Sequence, residues 1–264
     1  MITFQELQEG VYDPNIFKAI FLAGGPGSGK SYVVRRTTGG LGMKIINSDD
    51  IYEKMLKDAG MTTTPEDIYT PKGQEIRGQA KGVSERMRGN FLEGRLGIII
   101  DGTGKDYDKI ASQVGGLKSL GYETYMVFVN TSLDTAQERN LMRSRTLATD
   151  EVTRMWNAVQ QNIGKFQRLF GGKNFIVVDN NDAGEDVFEK VWKRCMVLVR
   201  KKVNNPIAKA WIAGELKKKE KGVNTSPMGK NIHSRGQRQR LSPKRSRELR
   251  QKSGFASFIR RTRG

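Results

Sequence analysis

Eight residues of this 264-residue chain, Gly24-Gly25-Pro26-Gly27-Ser28-Gly29-Lys30-Ser31, satisfy the spacing G-x-x-x-x-G-K-[ST]. Glycines let a backbone wrap closely around a polyphosphate, so that successive amides and the positive end of a following helix face the anion. In such a loop Lys30 bridges the β and γ phosphates of ATP, and the Ser31 hydroxyl ligates Mg2+. The expected nucleotide-binding set is Gly24, Gly25, Pro26, Gly27, Ser28, Gly29, Lys30, Ser31 and Tyr32. The bland alternative is a glycine-rich turn without function. Context argues against it, because an apolar run at 17–23 precedes the loop and a helical pattern at 31–38 follows it.

Two acidic positions bear on whether the phosphoryl group goes to water or to an alcohol. Asp101 closes the aliphatic run Ile98-Ile99-Ile100, where a carboxylate at the edge of a sheet orients Mg2+; Ser31 and Asp101 are the expected metal ligands. Motor-type ATPases follow that aspartate with a glutamate that activates water. Here Gly102-Thr103-Gly104 follows, which disfavours such hydrolysis. Asn47-Ser48-Asp49-Asp50 comes after a second short strand, and Asp49 is the expected general base for an acceptor hydroxyl. Asp50 reads as the cap of a helix over 50–59. Arg139, Arg143 and Arg145 lie in a helix and loop where guanidinium groups either fold over ATP or form a solvated face.

The elements that must hold these residues alternate along the chain. Strands are expected at 17–23, 43–47, 96–101, 122–129 and 175–178, and helices at 31–38, 50–59, 73–93, 108–120, 132–143, 150–170 and 184–203. That alternation predicts an α/β fold, a three-layer P-loop NTPase of kinase type with a mostly parallel sheet. The expected domain covers residues 1–204, and residues 205–264 form a basic, largely disordered tail.

Charge supports the division. The chain carries 46 Lys and Arg against 28 Asp and Glu, a net of +18, and residues 201–264 hold 19 of the basic groups with 3 glutamates. Such a tail has the footprint of a nucleic-acid contact, or it merely solubilises. Cys195 is the single cysteine and His233 the single histidine. A disulfide within the chain, a zinc cluster and a histidine-based nucleophilic triad are thereby disfavoured. With no signal-type N-terminus and no apolar run of bilayer length, a cytoplasmic protein without membrane contact is expected.

Over residues 17–178 the sequence resembles the P-loop kinases of the zeta toxin and polynucleotide 5′-kinase group. The likeness rests on Gly24 to Ser31, Asn47-Ser48-Asp49-Asp50, Ile100-Asp101-Gly102-Thr103-Gly104-Lys105, Gly121-Tyr122-Glu123-Thr124 and Glu138-Arg139. It implies that Asp49 activates the acceptor, that Lys30 and Ser31 serve ATP and Mg2+, and that Arg139 and Arg145 clamp phosphate. Zeta toxins phosphorylate a uridine diphosphate amino sugar, and polynucleotide kinases act on nucleic-acid ends. The latter have an arginine three residues after the catalytic aspartate; Tyr52 stands there in this chain and cannot form a bidentate pair. The expected activity is ATP-dependent phosphorylation of a hydroxyl on a small or nucleotide-containing acceptor. The alternatives are a polynucleotide 5′-hydroxyl kinase and a nucleic-acid-binding protein regulated by ATP.

Overall fold

The computed structural model describes residues 10–38, 40–142, 146–182 and 184–221. Five strands, β1 (Lys18–Ala23), β2 (Lys44–Ile46), β3 (Ile98–Asp101), β4 (Glu123–Asn130) and β5 (Phe175–Asp179), form one parallel sheet in the order β2-β3-β1-β4-β5. Ten α-helices occur among the described residues: α1 (Lys30–Thr38), α2 (Ser48–Asp58), α3 (Pro65–Ile68), α4 (Pro71–Glu93), α5 (Tyr107–Ser119), α6 (Leu133–Leu141), α7 (Thr149–Gln160), α8 (Ile163–Phe170), α9 (Glu185–Val199) and α10 (Pro206–Glu220). This is the expected three-layer α/β fold. No described helix is long and apolar enough to cross a membrane.

The central strand explains the layers. All six residues of β1 are buried, as a parallel strand covered on both faces requires. Successive side chains alternate between the faces. Ala19, Phe21 and Ala23 join Met126, Phe128, Phe166 and Phe170 on one side. Ile20 and Leu22 join Val33, Val127, Phe188 and Cys195 on the other. A smaller cluster of Tyr52, Leu56, Ile68, Ile76 and Ala80 holds α2, α3 and α4 together. Within it Gly73 admits no side chain, since a Cβ there would lie 2.3 Å from the Asp67 carbonyl oxygen.

Two expectations change. The single helix over 150–170 is two helices, α7 and α8. Between them Asn162 is buried and its amide donates to the carbonyls of Gly104 (3.0 Å) and Lys105 (3.1 Å), a tertiary demand that no local sequence signal announces. Asp50 does not cap α2, because Asn47 does: its Oδ1 accepts the Asp49 amide at 2.9 Å, and the helix starts two residues earlier. One helix that was not expected, α10, follows residue 204. The Asn205 side chain accepts the Ile207 amide, Pro206 opens α10, and Trp211 packs edge-on against Phe17 at 5.5 Å. Averaging composition over the whole tail hid this helix. Residues beyond 221, including most of the expected basic tail, lie outside the described residues.

Candidate active site

The loop from Gly24 to Gly29 leaves the carboxyl end of β1, which lies between β3 and β4. In open α/β sheets the crevice at such a reversal of strand order is where ligands bind. The loop is gripped from outside. Gly27 has φ +71°, and a Cβ on it would fall 2.1 Å from the Ala136 carbonyl oxygen of α6. Gly29 has φ +74°, and its Cβ would fall 2.4 Å from Asn180 Nδ2, which donates to the Ser28 carbonyl at 2.8 Å. The Gly24 amide donates to the Thr103 carbonyl at 3.1 Å. At the other end of the loop, the Tyr32 and Val33 amides donate to the Gly29 carbonyl at 2.9 and 3.1 Å, so the helix start leaves the Lys30 and Ser31 amides as those without an intrahelical acceptor. The buried Ser28 Oγ has no hydrogen-bond partner among the described residues.

Two of the expected residues meet directly. Lys30 Nζ is ion-paired with Asp101 Oδ1, the side chains being 16% and 9% exposed. The other carboxylate oxygen of Asp101 accepts from Asn47 Nδ2 at 3.1 Å. Lys30, Asp101, Asn47 and the Asp49 amide thus form one continuous chain from the loop to the start of α2. Asp49 lies in the exposed first turn, and its carboxylate has no hydrogen bond or ion pair among the described residues. The role of Asn47 comes from the structure, which sets it between Asp101 and the Asp49 amide. The available signal was an asparagine directly between a strand and a helix with an acidic first turn.

A metal at this place would meet hard oxygen donors, the Ser31 hydroxyl and the Asp101 carboxylate. Among the described residues no group of three or more His, Cys, Asp or Glu could enclose a metal ion. The donor set present fits Mg2+, which is commonly bound through one or two protein oxygens while phosphates and water supply the rest.

Arg139 has a different setting from that of a free phosphate clamp. Its guanidinium donates to the carbonyls of Asn180 and Asn181, both at 2.7 Å, and so pins the turn after β5. Contact with a transferring phosphoryl group would require those bonds to be released or the remaining donors to be used. Arg139, Tyr32, Asp182 and Phe188 line a 310 Å³ groove that opens beside Gly29. Tyr32 sits there edge-on to Phe188 at 5.4 Å. Arg143 and Arg145 lie outside the described residues. Asn180, absent from the expected set, is the side chain that links the end of β5 to the loop.

Residues 20–166, more than half of the chain, match a family model described as an AAA domain. The chain belongs to that family, AAA_33. With its sheet and loop this member is a P-loop kinase-like domain, a fold that implies nucleotide binding. No curated protein matches the sequence. Solved structures of similar fold include a gluconokinase from Sinorhizobium meliloti 1021 (15% identity, TM-score 0.40, 70% of this chain and 92% of that one). A shikimate kinase from Acinetobacter baumannii in complex with shikimate is also similar (16%, 0.42, 70% and 95%). So is the AvrRxo1-ORF1:-ORF2 structure with ATP (15%, 0.46, 66% and 63%).

Proposed function

We propose that this chain is an ATP-dependent phosphotransferase that moves the γ-phosphoryl group to a hydroxyl of a small or nucleotide-containing acceptor. The observation that supports this most directly is the run from Lys30 through Asp101 and Asn47 to the Asp49 amide. It ties the phosphate loop to the helix start that carries an uncommitted carboxylate. On this reading the Asp49 carboxylate accepts the proton of the acceptor hydroxyl, whose oxygen then bonds to the γ phosphorus. The bond from phosphorus to the β–γ bridging oxygen breaks, and ADP departs with that electron pair. Lys30 exchanges Asp101 for phosphate oxygens. Mg2+ held through Ser31 and Asp101 would offset charge on the β and γ oxygens. The nucleoside end of ATP occupies the groove beside Gly29, against Tyr32 and Arg139. Arg145 is retained as a phosphate-facing group from the resemblance alone.

The resemblance to zeta toxins favours a nucleotide-linked acceptor, and Tyr52 in place of an arginine speaks against a polynucleotide end. Purified chain with labelled ATP and separate pools of sugar nucleotides, nucleosides and oligonucleotides tests the acceptor class. Asp49→Asn is expected to slow transfer by about 10²- to 10⁴-fold, and a full rate would refute the base assignment. Calorimetry with Mg·ATP, on the intact chain and on Lys30→Ala, tests the nucleotide site by itself.

Charge favours a second property, contact of the basic C-terminal segment with nucleic acid, since residues 201–264 hold 19 basic groups and 3 acidic ones. A chain ending at Lys221 keeps α10 and removes the rest. Its affinity for RNA or DNA should fall steeply with a shallower salt dependence. Unchanged affinity across a salt series would remove this reading.

A further inference from the structure

Beside Asp49, at the junction of α2 and α4, a buried hydroxyl lies without a hydrogen bond and a half-buried guanidinium without a carboxylate among the described residues. Tyr52 is 3% exposed, and its hydroxyl makes no hydrogen bond among the described residues. A buried hydroxyl left in that state costs stability, so native structures rarely keep one without a reason. The Arg77 guanidinium, half-buried, lies over the Tyr52 ring at 5.8 Å from its centroid. Arg77 has no carboxylate partner among the described residues. The positions one turn away on its own helix, Gly73, Gln74, Ala80 and Lys81, offer none. Nearby acids are engaged or turned to solvent: Asp67 accepts from the Thr62 amide and hydroxyl, Glu75 from Gln79, and Glu53 is exposed.

Helical spacing connects this pair to the proposed base. Tyr52 is three residues after Asp49 on α2, which puts the two on one face about 5–6 Å apart at Cβ. An acceptor whose hydroxyl reached Asp49 would therefore extend toward Tyr52 and Arg77. A planar guanidinium fork and a phenolic hydroxyl together match an oxyanion: the fork donates twice, and the hydroxyl, closed off from solvent between α2 and α4, donates once when an arriving anion parts them.

We propose that Arg77 and Tyr52 form the anion-recognising end of the acceptor site, so that the alcohol phosphorylated by this chain carries a phosphate or a carboxylate of its own. The proposal rests on the phosphotransferase reading and narrows its acceptor to hydroxylated anions. Arg77 supplies the charge and Tyr52 the third donor, while the cluster beneath them holds α2 against α4.

The test reads anion binding without turnover. In a Lys30→Ala chain, which weakens the anion site of the loop, the unfolding temperature is followed against inorganic phosphate, and separately against acetate, with ionic strength held constant by chloride. Ligands that bind only the folded state raise that temperature by mass action. The half-saturating concentration should rise about tenfold or more when Arg77→Ala is added, and about threefold to tenfold with Tyr52→Phe. Arg77→Lys, which keeps the charge and loses the fork, should fall between them. Each variant's transition in chloride alone is its own baseline, so lost stability is not mistaken for lost binding. The stronger of the two anions identifies the group on the acceptor. Equal stabilisation with and without Arg77, or none by either anion, overturns the proposal. Absence of Mg·ATP heat on the intact chain overturns the phosphotransferase reading instead, and leaves an Arg77-dependent anion site standing.

Discussion

The two sides of the crevice are built on opposite principles. On the side of the phosphate loop the groups from neighbouring elements are committed, with the buried Ser28 Oγ an exception among the described residues: Asn180 holds Ser28, Arg139 holds Asn180 and Asn181, Thr103 takes the Gly24 amide, and Gly27 abuts Ala136. On the side proposed for the acceptor, the Asp49 carboxylate and the Tyr52 hydroxyl have no hydrogen bond and Arg77 has no carboxylate partner among the described residues. A loop that recognises phosphate through its backbone must be shaped before the ligand arrives, because its selectivity lies in the directions of its amides. A site that recognises one particular acceptor does so with side chains whose hydrogen-bonding capacity is still unspent. The first arrangement sacrifices tolerance to mutation, and the second sacrifices some stability.

That contrast can be broken by substitutions of opposite sign. The largest effect is expected at Gly27→Val, where the added atoms collide with the Ala136 carbonyl and the backbone is left-handed. Overpacking costs about 1–3 kcal/mol and the left-handed backbone about 1–2 kcal/mol more. Denaturant unfolding should show that loss, and Mg·ATP calorimetry should show no binding. Asn180→Ala leaves the buried Ser28 carbonyl without its donor and should cost about 1–3 kcal/mol, again with weaker nucleotide binding. Tyr52→Phe should behave in the opposite way. Removing an unsatisfied buried hydroxyl while keeping the ring should stabilise the fold by about 1 kcal/mol or leave it unchanged, while anion binding weakens. A clear loss of stability in Tyr52→Phe would place the acceptor side under the same rule as the loop.

The smallest effect at neutral pH concerns Cys195, on the buried face of α9, where burial raises the thiol from 9.0 to about 12. A raised folded value means that the native state retains its proton where the unfolded chain has lost it. This contribution to stability is therefore intact below pH 9 and declines between pH 9 and about 12. Denaturant midpoints of Cys195→Ala and the parent across that range measure it, with the parent losing more. Native protein near neutral pH should resist thiol reagents, and rapid labelling would show that α9 opens far more readily than its packing implies.

How far these features could be read in advance follows from the range of the forces that fix them. The phosphate loop, the strand before it and the helix after it are announced by a pattern about fifteen residues long whose order carries its meaning, although the contacts that hold them come from Thr103, Ala136 and Asn180. The caps Ser132 and Asn205 are equally local, although Asn205 went unread because the charge of the segment beyond it dominated the composition. The break between α7 and α8 was not legible, since the Asn162 partners lie 57 and 58 residues away. The same holds for Arg139. Its sequence setting suggests a clamp, yet the carbonyls that engage it come from the turn after β5.

By itself the sequence determined the class of chemistry, because glycine, lysine and serine at fixed spacing between a strand and a helix leave few uses other than holding phosphate. It also determined the alternation that makes a parallel α/β sheet inevitable. Only the tertiary structure decided which groups remain available. Lys30 pairs with Asp101, Arg139 is held by two carbonyls, and Tyr52 and Arg77 meet without a carboxylate, each through residues distant along the chain. A side chain's capacity for hydrogen bonds is written in its type. Whether that capacity is already used depends on what folding brings beside it.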